Sequence, residues 1–295
     1  MDSLTVLAPA KLNLTLDVTG IAPNGYHTLD MMMQTVNLYE RVTLRKSEHL
    51  RLRLPGSSVP ANEHNTAIKA ALAFFHATGL LAGVDITVRK AVPVRAGMAG
   101  GSADAAAVLV GLNELYGAKL TLRELCDIGL QVGADVPFSI LGGTARVQGI
   151  GDVLTPMKSC PRCWFTVCMP KGGISTPQAY ARYDELGTDV HPDNDLAQAA
   201  LEAGDLDALC AQMSNALEFS SQSPANKPIE EILRREGALA ALMTGSGAAV
   251  FGVFRDEDSA RRAQAALQQH YPKSWVLHPV PKGARVLPVQ RKKKR

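Results

Sequence analysis

A two-domain α+β protein is what this sequence predicts, on three observations. Apolar and polar residues alternate through the first third of the chain, a glycine-rich stretch then runs into an alanine- and leucine-rich helix, and composition breaks at Pro156 to Pro161 before strands and helices resume. A length of 295 residues suits two domains of ordinary size. The boundary is placed so that residues 1–157 form the N-terminal domain, 158–290 the C-terminal domain and 291–295 a basic tail.

Leu12, Leu14, Leu16 and Val18 alternate with Lys11, Asn13, Thr15 and Asp17, the period of a half-buried strand, so Lys11 and Asn13 are expected to share an open face. Asn24-Gly25 signals a turn. A second extended run from Tyr26 and His27 through Val36 follows, and then further alternation at Val42 to Leu44 and at Leu50, Leu52 and Leu54. A helix is expected from Asn65 or Thr66 with Ile68, Leu72 and Phe75 inward, then a strand at Val84, Ile86 and Val88. The loop Arg95 to Asp104 leads into Ala105 to Asn113, where Asp104 is placed to cap the helix. Thr121 and Glu124 form a capping box for a helix to about Val132, and Gly133 to Phe138 reads as a turn with one acid. Beyond the break come a strand at Trp164 to Met169, a helix from Thr176-Pro177, helical pattern from Leu196 to Leu217 and a helix from Pro228. Thr244 to Gly247 then precedes an apolar run to Phe254, a helix at Asp258 to His270 and a strand at Trp275 to Val280.

Net charge is +3, from 31 Lys and Arg against 28 Asp and Glu. Setting aside the five basic residues Arg291 to Arg295 leaves 26 against 28, a net of −2, so the body is not a nucleic-acid surface by composition and the tail reads as solvated. No apolar run is long enough to span a bilayer, and Met1-Asp2-Ser3-Leu4 lacks an export pattern, so a cytoplasmic location is expected. Five cysteines fit a reducing compartment, with Cys126, Cys168 and Cys210 as small core residues. Cys160 and Cys163 have a C-x-x-C spacing without a second ligand pair, and read as structural rather than as a metal or redox site.

Successive glycines at Gly97, Gly100 and Gly101 let backbone N–H groups approach an anion, and the following helix adds its positive end. A phosphate cradle and a plain turn both fit this loop on spacing alone. The P-loop pattern is absent, and no acid follows at the distance a dinucleotide fold needs.

Ala8 to Leu14 with Asn24 to His27, Pro93 to Ala107, Gly133 to Phe138 and Gly245 to Gly247 together resemble the GHMP kinases over nearly the whole chain. Pro-Ala-Lys-Leu-Asn-Leu followed by Gly-Tyr-His is similar to the branch acting on a cytidine-linked acceptor. The resemblance implies an N-terminal ribosomal-protein-like domain and a C-terminal ferredoxin-like α/β domain. It also implies transfer of the ATP γ-phosphoryl group to the 2-hydroxyl of 4-diphosphocytidyl-2-C-methyl-D-erythritol in the non-mevalonate isoprenoid pathway.

By that resemblance Lys11 and Asp135 are the catalytic pair. A carboxylate accepts the hydroxyl proton while a cation holds it ionised and counters charge on the moving phosphate. With an ammonium beside it, Asp135 is expected to position the hydroxyl as much as to take its proton. Tyr26 and His27 match the cytidine segment, Tyr180 the second stacking aromatic, and Asn13 a contact near the reacting end. Gly97, Gly100, Gly101 and Ser102 match the phosphate loop, and Asn65 and Lys90 match positions near adenosine. Mg2+ is implied by the chemistry, held mostly by ATP and water, with no protein ligand assigned. The expected partner is the small substrate alone, with no nucleic acid, membrane or obligate protein partner. Without these motifs the plainer readings are a solvated strand lysine, a turn aspartate, a half-buried hairpin Tyr and His, an amphipathic-helix Tyr180, a strand-end Lys90 and an N-cap Asn65.

Ala99 and Ala103 depart from the glycine and serine usual in that loop, which predicts at most a changed ATP affinity. Ile21-Ala-Pro-Asn before Gly25 lacks charges often present there and leaves the chemistry untouched.

Overall fold

The N-terminal hairpin is longer than its alternation suggests: β1 (Ser3–Ile21) and β2 (His27–Ser47) run antiparallel and turn at Asn24-Gly25. The runs on either side of Val36 are thus one strand. The computed structural model describes residues 2–288; the tail Arg291 to Arg295 lies outside them. In chain order β3 (Arg51–Arg53), α1 (Thr66–Thr78), β4 (Gly83–Arg89), α2 (Gly100–Tyr116), α3 (Leu122–Val132), α4 (Val136–Leu141), β5 (Thr144–Gly149) and β6 (Val153–Pro156) complete the first half. One end of β2 pairs with β4 at Arg41 to Ser47 and the other with β5 at Leu29 to Gln34.

After the connection come β7 (Trp164–Cys168), α5 (Thr176–Leu186), α6 (Asn194–Ala203), α7 (Leu206–Gln212), α8 (Leu217–Ser221), α9 (Asn226–Arg235), β8 (Ala240–Met243), β9 (Val250–Phe254), α10 (Glu257–Gln268), β10 (Ser274–Leu277) and β11 (Arg285–Val286). The second sheet has the antiparallel order β10-β7-β9-β8, the ferredoxin-like arrangement expected. The stretch Leu196 to Leu217 is broken into α6 and α7 and ends where α8 starts, because Asp205 caps α7 after Gly204 ends α6 and Met213 leaves the helix in an extended conformation.

Leu4, Val6 and Ala8 of β1 pack with α1, α2 and α3 in one core, whereas Ala10, Leu12 and Leu14 join a core built with β7 and β9. The register shift between Pro9 and Ala10 sits at that handover. Helix α2 lies so close to the sheet that a Cβ at Gly111 would come within 2.4 Å of the Leu44 side chain. Helix α1 corrects one expectation: Ala67, Ala70, Ala71 and Phe74 are buried, while Leu72 is 52% exposed and Ile68 and Phe75 are half-buried. The small Ala67, Ala70 and Ala71 let α1 approach the alanine-rich α2, with Phe74 the one large side chain of the inward stripe.

The end of the chain corrects the boundary at 290. β11 pairs with β1 of the first sheet, and Gly283 and Ala284 N–H groups donate to Leu141 and Ser139 carbonyls at 3.2 and 2.9 Å, so this stretch belongs with the N-terminal domain. Among the described residues no helix is long and apolar enough to cross a membrane.

Candidate active site

Lys11 and Asn13 do not have the open face that alternation suggests. Lys11 is 5% and Asn13 1% exposed, because the C-terminal domain covers this side of β1. Leu16 N–H donates to Ser214 O at 3.0 Å, Thr15 Oγ1 to Asn194 Oδ1 at 2.5 Å, and Asn13 N–H to Thr244 Oγ1 at 2.9 Å. The strand therefore lines a cleft between domains rather than solvent. A single-strand pattern cannot reveal a second partner on its polar face.

Within the cleft Lys11 Nζ donates to Asn13 Oδ1 at 2.5 Å and stands 3.8 Å from Asp135 Oδ2. Burial pulls the Lys11 pKa down and Asp135 pulls it partly back up. Asp135 stands at the N-cap of α4 yet makes no capping bond with its side chain, which is 31% exposed, so the carboxylate is turned toward the cleft. Its carbonyl instead accepts from Ser139 N–H and Oγ at 3.0 and 2.9 Å, fixing the backbone beneath it.

The glycine loop comes alongside the same lysine, since Lys11 N–H donates to Met98 O at 3.2 Å. Gly97 abuts the Thr244 to Gly247 loop, where an added Cβ would meet Thr244 O at 2.0 Å. Ala248 and Ala249 N–H groups donate across to Arg95 O and Ala96 O, both at 3.2 Å. Helix α2 begins at Gly100, earlier than expected, so Gly100, Gly101 and Ser102 form its first turn. Ala99 precedes it at φ 57°, and its side chain makes no capping hydrogen bond to the helix.

Asp104 corrects the expectation of a cap. It is 3% exposed inside the helix, and Lys90 Nζ reaches Asp104 Oδ2 and Glu40 Oε1, each at 2.6 Å. One ammonium thus serves two buried carboxylates, and burial first, then Glu40, pushes the Asp104 pKa up to about 7 against the pull of Lys90. Lys90 also donates to Gly100 O at 3.3 Å, so the triad adjoins the glycine loop. Asn65 is the N-cap of α1, accepting from Ala67 N–H at 3.0 Å and donating to Pro60 O at 2.8 Å.

His27 and Tyr180 are brought together, their rings stacked at 4.6 Å and 26°. Burial raises the Tyr180 pKa and the nearby Asp135 charge raises it further, so this aromatic is close to Asp135 as well as to His27. His27 Nε2 lies 2.7 Å from Asp184 Oδ1. Tyr26, at the turn, is 67% exposed.

Sequence reasoning missed Glu40, Thr244 and Asp184. Glu40 had a signal, a carboxylate in an extended run two residues before Val42. Thr244 and Asp184 had none, because their partners are distant in sequence.

Residues 65–143 match the family described as GHMP kinases N terminal domain, and 197–273 that described as GHMP kinases C terminal. The chain is 39% identical over 283 residues, 94% of this chain and 97% of the other, to a 4-diphosphocytidyl-2-C-methyl-D-erythritol kinase of Alkaliphilus metalliredigens. A crystal structure of 4-(cytidine 5'-diphospho)-2C-methyl-D-erythritol kinase superposes with a TM-score of 0.78 at 32% identity, covering 94% of this chain and 100% of that one. A homoserine kinase from Cytophaga hutchinsonii reaches the same TM-score, 0.78, at 20% identity over 97% of this chain and 98% of that one, so fold alone does not select the acceptor. In sequence, domain content and fold the chain belongs to the GHMP kinases, in the branch whose curated members are named 4-diphosphocytidyl-2-C-methyl-D-erythritol kinase.

Proposed function

We propose that this protein transfers the γ-phosphoryl group of ATP to the 2-hydroxyl of 4-diphosphocytidyl-2-C-methyl-D-erythritol, giving the 2-phosphate and ADP, a step of non-mevalonate isoprenoid synthesis. The observation that carries the chemistry is the buried Lys11 ammonium 3.8 Å from a cleft-facing Asp135 carboxylate, beside a glycine loop at a helix N-terminus. Asp135 orients the acceptor hydroxyl and takes its proton as the oxygen attacks phosphorus. Lys11 counters the charge of the transferring phosphoryl, and Asn13 fixes the ammonium through its 2.5 Å contact. Gly97, Gly100, Gly101 and Ser102 hold the ATP phosphates by backbone N–H groups and one hydroxyl.

Tyr26 and His27 bind the cytosine, and Tyr180 backs His27 by stacking. Lys90 supports the loop from below through Gly100 O, and Asn65 shapes the start of α1 beside it, where Thr66 Oγ1 donates to Gly101 O at 2.7 Å. Among the described residues no group of three His, Cys, Asp or Glu side chains is placed to hold a metal. Mg2+ would be carried by the nucleotide phosphates and water, with Ser102 the hydroxyl of the loop that would meet it. When bound, Mg2+ neutralises charge on the phosphate oxygens.

The test is ADP release from Mg-ATP with the cytidine compound, homoserine, mevalonate or no acceptor. Turnover with the cytidine compound alone supports this reading, and turnover with another acceptor overturns the pocket assignment.

A further inference from the structure

Cys160-Pro161-Arg162-Cys163 takes no part in the phosphoryl-transfer site. It lies in the connection between β6 and β7, where the chain passes from one domain to the other. Both cysteines are free, with their Sγ atoms 3.9 Å apart. Cys163 is 2% exposed in the core beneath β7, whereas Cys160 is half-buried. The two line a cleft of about 390 Å³ together with Arg162, Trp164 and His278. Cys160 is held from the other side by its N–H bond to Thr144 Oγ1 of β5 at 3.0 Å, and that hydroxyl donates to Gln34 Oε1 of β2 at 2.6 Å. The pair therefore straddles the crossing, one sulfur on an element anchored to each sheet.

We infer that Cys160 and Cys163 are a dithiol redox site that low-molecular-weight disulfides of the glutathione class oxidise to an intrachain disulfide. The two sulfurs, joined by a thiol hydrogen bond at 3.9 Å, have to approach by about 2 Å to reach covalent bonding distance. The cleft gives a small oxidant access. Exposed Lys158 and Arg162, each two residues from Cys160, favour the approach of an anionic disulfide. The bond to Cys160 and burial keep the Cys163 thiol protonated, which makes Cys160 the attacking sulfur.

Cys160 gives its proton to solvent, and its thiolate attacks one sulfur of the oxidant. The oxidant S–S bond breaks, releasing one thiolate and leaving a mixed disulfide on Cys160. Cys163 then attacks Cys160 Sγ and expels the second small thiolate, which takes up the Cys163 proton and leaves as a thiol. The protein dithiol gives up two electrons, and the oxidant becomes two thiols.

The test exposes the native full-length chain to oxidised glutathione, quenches in acid, alkylates and maps peptides by mass spectrometry. Two of the five thiols are expected to disappear, with the peptide carrying 160–163 about 2 Da lighter and restored by dithiothreitol. Cys163→Ser should instead hold a glutathione adduct on Cys160, and Cys160→Ser should show neither product. Buried Cys168 should stay unmodified until denaturant is added, which shows that the reacting protein is folded. Native Cys160 and Cys163 that both remain alkylatable after oxidant, or a bond mapped to Cys210 or to a second chain, would overturn the inference.

Discussion

A lysine almost wholly out of water must be given something to do with its charge, and Lys11 has two neighbours for it, Asn13 Oδ1 and the Asp135 carboxylate. Its identity as a candidate was legible because the motif around it is distinctive; its burial was not, since alternation marked its side of β1 as polar and gave no sign of the Thr244 and Asn194 contacts that close over it. Tyr26 is the opposite case, legible at its turn and left 67% exposed there. Stacking of an aromatic ring on a base contributes about 1–3 kcal/mol. Tyr26→Ala is therefore expected to raise KM for the cytidine substrate roughly 5- to 150-fold while kcat changes little. Steady-state kinetics at saturating ATP checks this, and an unchanged KM would remove Tyr26 from the pocket.

The start of α2 carries the largest difference between reading and structure at the level of elements. The glycine loop was visible in the sequence, but not that Gly100 to Ser102 would be helical, nor that Ala99 would take the left-handed conformation in front of them. A residue with a Cβ is strained there by about 1–2 kcal/mol, partly offset by the entropy glycine loses on folding. Ala99→Gly is expected to raise stability by up to about 1 kcal/mol in chemical denaturation. Inside the same helix, Asp104 ties folding to pH. Its pKa is raised from 3.8 to about 7, so the native state keeps a proton that the unfolded chain has lost. The associated stability is complete below the unfolded value and is lost as pH rises through the folded one. Across that window the wild type should lose stability relative to Asp104→Asn by at most about 1.4 kcal/mol per pH unit. Denaturation at pH 5 and pH 8 measures the difference, and parallel profiles would show that Asp104 does not carry it. Nothing in the local pattern announced this pairing, because Glu40, Lys90 and Asp104 come from β2, the end of β4 and α2.

For the molecule as a whole, the mixture of strands and helices on both sides of Pro156 was legible from their periods, the ferredoxin-like order was implied by the resemblance alone, and the return of β11 to β1 was hidden in two residues with no period to read. Among the contacts that join the halves around the site, that of Gly97 with Thr244 is too tight for any side chain. Gly97→Ala forces these loops apart and is expected to cost about 2–4 kcal/mol in stability, with a fall in kcat, read by thermal melts and turnover together. The central claim, that the Lys11–Asp135 pair performs phosphoryl transfer, is tested most directly by Asp135→Asn. Its kcat should fall about 10²- to 10⁴-fold while calorimetry shows the cytidine substrate still bound. Turnover equal to that of the wild type would contradict the account.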